Sequence, residues 1–200
     1  MGVDVKKSFL PVMLLLSLAA CSQPPVPGDH FYRLRLAPPE RPLANPRFKG
    51  TIEIDRFVAD GLTTKLSIVY STGDRPLEVK AYHYHLWTDP PAIMLRDQLV
   101  GYLRAAKVAS KVVTPEMRVG ADYAVAGKIN RLEKVIGSPA KVAVELELSL
   151  GQRTDGKLLF LDTYRVVTAS ENDTVGAAVK AINKALGKVY ASFAADISKI

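Results

Sequence analysis

The sequence predicts an α+β domain, in which an antiparallel-dominated sheet carries two amphipathic helices packed on one face. Apolar and polar residues alternate between Lys141 and Gln152, which is the period of a half-buried strand. Apolar residues instead recur with helical spacing in 94–106 and 175–197. Asp155-Gly156 is a strong hairpin signal just after the alternating strand. Strands, helix, strands and helix in this order favour a two-layer α+β arrangement.

The first half of the chain contains strand candidates separated by turn residues. Tyr32–Leu36 alternates apolar residues with arginines, and the proline-rich segment 37–47 predicts a loop. Further strands are expected at 51–58, 66–70 and 77–86. In the last of these, period-two alternation places His83 and His85 on one face.

The first helix is expected to begin near Pro91, since proline suits the first helical turn. A short strand at Val112-Val113 follows, then a long antiparallel pair formed by 121–135 and 141–152, and a last strand at 158–168. Asn172 to Thr174 offers caps for the second helix. Its apolar stripe is predicted to be core and comprises Val175, Val179, Ile182, Leu186, Val189, Tyr190, Phe193 and Ile197.

The N-terminal segment has the layout of a secretory signal peptide. Lys6 and Lys7 precede an apolar run from Phe9 to Leu18, and small residues follow it. The run is too short to span a bilayer comfortably as a helix. We therefore interpret 1–20 as a signal peptide, 21–30 as a proline-rich tether and 31–200 as a single domain.

Cys21 is the only cysteine in the chain, and it stands where the signal peptide would be cut. Leu18-Ala19-Ala20-Cys21 resembles the bacterial lipobox, in which the cysteine thiol takes a diacylglycerol and the new amino terminus is acylated. Several acyl chains give durable membrane anchoring. The alternatives are a buried structural thiol or a coincidental cysteine, and the second leaves a free thiol in an oxidising compartment. Ser22 rather than Asp after the cysteine resembles the sorting pattern for the outer membrane.

The composition indicates few chemical functions. The formal net charge is +7, or +6 after removal of the signal peptide, and the basic residues are scattered, which argues against nucleic-acid binding. His83 and His85 could chelate a metal, but no supporting ligand lies at a suitable spacing, so a structural or surface pair is favoured. Nucleophile-elbow, phosphate-loop and dinucleotide motifs are absent from the sequence. We expect no enzyme activity, no metal and no cofactor apart from the covalent lipid on Cys21.

Tyr82, Tyr84 and Trp87 are the candidates for a partner surface. Tyrosine and tryptophan are enriched at protein interfaces, and these three lie where a strand leads into the first helix. The competing interpretation is that they pack beneath that helix, as large aromatic side chains commonly do.

The sequence resembles the ABC-type transport auxiliary lipoprotein family, which includes the paraquat-inducible protein C group. The lipobox is followed by "FYRL", then by Lys65–Tyr70, then by "YHYHLW" at Tyr82–Trp87 leading into Pro90 and a helix. The resemblance implies a non-catalytic outer-membrane lipoprotein facing the periplasm of a Gram-negative bacterium. It also implies a partner with mammalian-cell-entry (MCE) domains in an ABC system that moves lipids between the membranes.

A second function stays open at this point. The same features suit an envelope assembly or integrity lipoprotein that binds an outer-membrane protein or lipopolysaccharide without an MCE partner. The sequence also leaves homo-oligomerisation open. It does not identify the lipid that would be moved.

The lipobox makes a direct prediction about Cys21. Cys21→Ser removes the one thiol that can form the thioether to lipid, so metabolic labelling with a fatty acid should be abolished. The product should remain uncleaved or soluble. Labelling of the variant at the wild-type level would show that the acyl groups are attached elsewhere.

Overall fold

The computed structural model describes residues 27–200, and strand β7 lies at the centre of its sheet. The described elements, in chain order, are β1 (His30–Tyr32), β2 (Phe48–Ile54), β3 (Val58–Ala59), β4 (Ser67–Thr72), β5 (Arg75–Trp87), α1 (Pro91–Ala105), β6 (Ala109–Val113), β7 (Tyr123–Ile136), β8 (Lys141–Gln152), β9 (Leu158–Ala169) and α2 (Val175–Ile197). Short 3-10 turns occupy Gly61–Thr64 and Pro115–Met117.

Both edges of β7 are paired. One edge pairs antiparallel with β8, which in turn pairs antiparallel with β9. The other edge pairs in succession with β2, β3 and β4, all in parallel. Beyond these strands, β6 lies next to β2, and β5 and β1 lie beyond β4. The long central strand therefore has an antiparallel neighbour along one edge and parallel neighbours along the other.

The sheet is mixed, and the expectation of an antiparallel-dominated sheet is wrong. Within residues 27–200, five strand pairings are parallel and three are antiparallel. The antiparallel pairs are hairpins, and turn residues in the sequence predict hairpins. The parallel pairs join strands that are distant in the chain, so no turn residue marks them.

The expected hairpins are present. Strands β7 and β8 pair from Tyr123 opposite Gln152 to Val135 opposite Lys141. The β8–β9 connection contains Gly156 at φ +70°, a backbone conformation that glycine adopts without steric cost. The predicted strand boundaries in this region are correct to within two residues.

The predicted core stripe of α2 is confirmed, because all eight of its residues are buried. The Thr174 hydroxyl caps the helix by accepting from the Ala177 N–H at 3.2 Å.

Helix α2 packs on β8 and β9, α1 packs on β2 and β6, and the two helices contact each other. The buried Tyr190 hydroxyl donates to the Leu95 carbonyl oxygen at 2.8 Å, which ties α2 to α1. Burial raises the pKa of Tyr190 well above its usual range.

Gly127 shows how closely the segment after β2 approaches β7. A Cβ atom at this position would lie 2.6 Å from the ring of Phe57, which is 3% exposed. The missing side chain therefore lets Phe57 fill the core between β2 and β3. The glycine interrupts the alternation pattern of β7, but this pattern alone does not indicate that Phe57 approaches the strand here.

The first strand is shorter than predicted. Only His30–Tyr32 pairs with β5, in parallel, whereas a strand was expected over Tyr32–Leu36. The next backbone groups bond to helix side chains: the Arg35 N–H donates to Asn183 Oδ1 at 2.7 Å and the Leu36 N–H to Gln98 Oε1 at 3.0 Å. Of the alternating apolar residues, Leu34 is buried, and Tyr32 and Leu36 are half-buried against the core.

Leu186 tests the contribution of the α2 stripe to stability. It is fully buried, so Leu186→Ala should lower the free energy of unfolding by about 2–5 kcal/mol, through lost apolar contact and the cavity left behind. Urea unfolding followed by circular dichroism measures the change. Ser192→Ala, at an exposed position of the same helix, is the matched control and should change stability by less than about 0.5 kcal/mol. Equal stability of the two variants would contradict the core assignment.

Candidate functional site

The junction between β5 and α1 is held in place by Trp87. This side chain is 1% exposed and belongs to the hydrophobic core. The backbone N–H of Trp87 donates to the Leu66 carbonyl at 2.7 Å, and the backbone N–H of Thr88 donates to the Tyr32 carbonyl at 2.9 Å. Helix α1 then begins with Pro91 at its first turn. Trp87 therefore fixes the turn and offers almost no surface to a partner.

Tyr82 is half-buried and engaged in a polar contact. Its ring centroid lies 4.4 Å from that of Tyr70, and its hydroxyl oxygen accepts from Lys134 Nζ at 3.2 Å. The Lys134 side chain is 2% exposed, and its Nζ also lies 3.0 Å from Asp173 Oδ1 at the start of α2. A buried cation needs such partners to compensate its loss of hydration. Tyr82 thus helps to place a charge inside the domain.

The two strand histidines lie in different environments, whereas regular alternation predicts that they share one face. The pairing of β4 with β5 passes from Ser67–Leu86 directly to Val69–Ala81, so four residues of β5 bulge opposite Ile68. This irregularity breaks the period-two alternation. His85 consequently turns toward Tyr82, with ring centroids 5.2 Å apart, whereas His83 stays exposed.

His85 forms a cluster with the first strand. Its ring stacks on that of His30 at 5.1 Å, and its Nδ1 lies 3.0 Å from the Tyr32 hydroxyl. Burial lowers the pKa of His85 below its ordinary value of 6.5, and the charges of His30 and Lys134 lower it further. The Tyr32 hydroxyl and His85 Nδ1 are thus hydrogen-bonded, with the direction set by the imidazole tautomer. Sequence reasoning missed this cluster, because His30 was assigned to the tether and the parallel β1–β5 pairing has no local signal.

Tyr84 is the most exposed of the three predicted partner residues, at 39%, and it lies beside exposed His83 with ring centroids 6.4 Å apart. The structure therefore places the three residues at different depths: Trp87 in the core, Tyr82 half-buried and Tyr84 at the surface. Among residues 27–200, no group of three or more His, Cys, Asp or Glu side chains is placed to hold a metal ion.

The lipobox residues Leu18, Ala19 and Ala20 and the lipidation site Cys21 lie outside the described residues. Neither of the described helices combines the length and the apolar character that crossing a membrane would require.

Comparison with known proteins gives the class of this domain. The family model described as "ABC-type transport auxiliary lipoprotein component" matches residues 32–194. The chain therefore belongs to the ABC-type transport auxiliary lipoprotein family, as its sequence motifs indicated. A search of curated proteins found no match.

Solved structures support the fold. A DUF330-family protein of Xanthomonas campestris is 21% identical with a TM-score of 0.70, and the match covers 83% of this chain and 92% of that protein. An uncharacterized protein is 17% identical with a TM-score of 0.68, covering 86% and 99%. PelC of Paraburkholderia phytofirmans, crystallised as a dodecamer, is 14% identical with a TM-score of 0.45, covering 75% and 92%. The first two similarities establish the shared fold, and the third is too weak to support an argument.

The depressed pKa of His85 makes stability depend on pH. A lowered folded-state pKa means that the folded protein binds this proton less readily than the unfolded chain does. The contribution of His85 is therefore complete above pH 6.5 and is lost as the pH falls from there through its folded-state pKa. When the pH is lowered from about 7.5 to about 5, the urea midpoint of unfolding should fall more for wild type than for His85→Gln.

His83→Gln is the matched control, because His83 is the exposed histidine of the same strand. It should keep the wild-type pH dependence. Identical pH profiles for His85→Gln and wild type would show that the cluster does not contribute to acid sensitivity.

Proposed function

We propose that the protein is an outer-membrane lipoprotein that serves as the non-catalytic docking subunit of an ABC transport system for lipids. The observation that carries the proposal is the family match, which spans residues 32–194 and describes an auxiliary lipoprotein component of ABC-type transport. In this role the ATPase, the permease and the MCE-domain protein are separate chains. The lipoprotein holds their periplasmic end at the outer membrane.

The proposed anchor is the covalent lipid on Cys21. The lipobox and the signal peptide support it, and Ser22 supports sorting to the outer membrane. Acylation at the cysteine and at the new amino terminus supplies more than one chain, which durable anchoring requires.

The proposed partner is a periplasmic MCE-domain protein, and the proposed contact is centred on Tyr84. Tyr84 and His83 are exposed together on β5, and the buried Trp87 holds that strand against the core. An exposed tyrosine on a rigid element is a favourable interface residue, because it buries a large area with little loss of conformational entropy. Tyr82, two residues earlier on β5, is half-buried and contributes less exposed surface.

Co-purification of the tagged native protein from membranes tests the function. Recovery of ABC and MCE-domain subunits with the lipoprotein is expected. Recovery of an outer-membrane protein or lipopolysaccharide, without any ABC or MCE-domain subunit, would favour the envelope-assembly alternative and contradict the proposal.

Tyr84→Ala tests the contact surface. It should weaken binding of the MCE-domain subunit about tenfold while circular dichroism stays unchanged, since the side chain contributes little to the core. Tyr82→Ala should weaken binding as well, but it also removes a partner of buried Lys134 and should lower stability.

Val167→Ala is the matched control for this experiment. Val167 is 63% exposed on β9, which lies across β7 from β5 in the sheet order. The Val167→Ala variant should bind the MCE-domain subunit as tightly as wild type does. Normal binding by Tyr84→Ala and Tyr82→Ala together would place the interface on another surface.

A further inference from the structure

A groove lies beside both helices, and Tyr84 is not among its lining residues. One wall is the proline-rich loop 37–43, which connects β1 to β2, and the other is the exposed flank of α2. Tyr102, Ala106 and Val108, from α1 and the segment after it, and Thr168 of β9 contribute the remaining lining. The volume of about 940 Å³ lies at the upper end of the range of about 300–1,000 Å³ that is usual for small-molecule sites.

The loop wall is fastened at both ends. Before the groove, the Arg35 and Leu36 N–H groups donate to side chains of α2 and α1. After it, the Leu43 N–H donates to the Ala106 carbonyl at 3.0 Å. The groove is therefore bounded by attached backbone, and it exists before any ligand binds.

The interior of the groove is apolar and offers few hydrogen-bonding groups. Pro38 and Pro39 have no backbone N–H to donate. On the opposite wall, Gly187, Ala191 and Ala195 follow one another at four-residue spacing, and their backbone groups are engaged within α2. Thr168 is the one lining residue with a buried hydroxyl that has no hydrogen-bond partner among the described residues. A sugar or an extended peptide would leave most of its polar groups unpaired here, whereas an acyl chain has none to satisfy.

The rim of the groove is positively charged. Arg41, Lys184 and Lys188 line it, against the single carboxylate of Glu40. Among the described residues, none of the three cations lies within 4.0 Å of a carboxylate oxygen. Cations that are unpaired in this way favour an anionic group at the entrance.

We propose that this groove binds a glycerophospholipid with an anionic headgroup, with an acyl chain between the proline-rich loop and α2 and the phosphate at Lys184, Lys188 and Arg41. The apolar walls account for the chain and the charged rim accounts for the headgroup. The inference goes beyond the proposed docking role, because the purified protein should bind lipid without any transport subunit.

Blocking the groove is the first test. Phosphatidylglycerol is added to the purified, detergent-solubilised lipoprotein, and the bound fraction is measured by native mass spectrometry. Ala191→Trp places an indole between the walls and should weaken binding at least about tenfold. Ser192→Trp adds the same side chain at an exposed position of α2 that does not line the groove, and it should bind like wild type. Both proteins should show wild-type circular dichroism.

Reversing the rim charge is the second test. The double variant Lys184→Glu/Lys188→Glu should weaken binding of phosphatidylglycerol about tenfold and should change binding of zwitterionic phosphatidylcholine much less. Lys180→Glu reverses a charge on the same helix outside the groove and should have no effect on lipid binding.

Unchanged phosphatidylglycerol binding by Ala191→Trp would overturn the proposal, and so would equal loss of both lipids in the charge variant. Measurements on the Cys21→Ser protein identify the occupant. If the Cys21→Ser protein binds phosphatidylglycerol much more tightly than the lipidated protein does, the chain's own acyl groups fill the groove. That result would also overturn the proposal. None of these outcomes depends on the transport partner, so they leave the docking function to its own test.

Discussion

Backbone pairing along both edges of β7 is the constraint on which the sheet depends. Peptide groups buried away from water must be hydrogen-bonded, and this strand meets that requirement with β8 on one edge and with β2, β3 and β4 on the other. Strand β8 is the next strand in the chain and covers its edge almost completely, whereas β2, β3 and β4 come from distant parts of the chain and each occupies only part of the other edge. Gly127 is part of this arrangement. Its missing side chain leaves room for Phe57, which lies between β2 and β3 in the chain and approaches β7 closely. The two helices then cover strands on both sides of β7 and contact each other.

Features fixed by neighbouring residues were predictable from the sequence, and features fixed by distant ones were not. The hairpins follow from turn residues such as Gly156, and the buried stripe of α2 follows from its period. The parallel pairing of β1 with β5 has no local signal, so the mixed sheet was missed. The separation of His83 from His85 was missed for a related reason. Alternation assumes regular pairing, and the bulge opposite Ile68 depends on how β4 and β5 meet rather than on any residue type.

A polar cluster around the buried cation of Lys134 joins β7, β5, β1 and the segment before α2. Lys134 of β7 contacts Asp173, which precedes α2, and the hydroxyl of Tyr82 on β5. Tyr82 contacts His85, which stacks on His30 of β1. Buried charge of this kind adds little net stability, but it penalises any packing that separates its partners. The cluster therefore ties β1 and the segment before α2 to β5, the strand that carries Tyr84.

The segment that begins with β1 borders both proposed surfaces, and its packing indicates that they act independently. β1 pairs with the end of β5 near Tyr84, while the loop at 37–43 forms a wall of the groove. Transmission between them would require a part of the chain with two alternative arrangements. Leu34 lies between the two surfaces and is buried in the core, and the N–H groups of Arg35 and Leu36 are bonded to both helices. Moving the loop would break these contacts, so binding of the proposed partner at Tyr84 is expected to leave the groove wall in place.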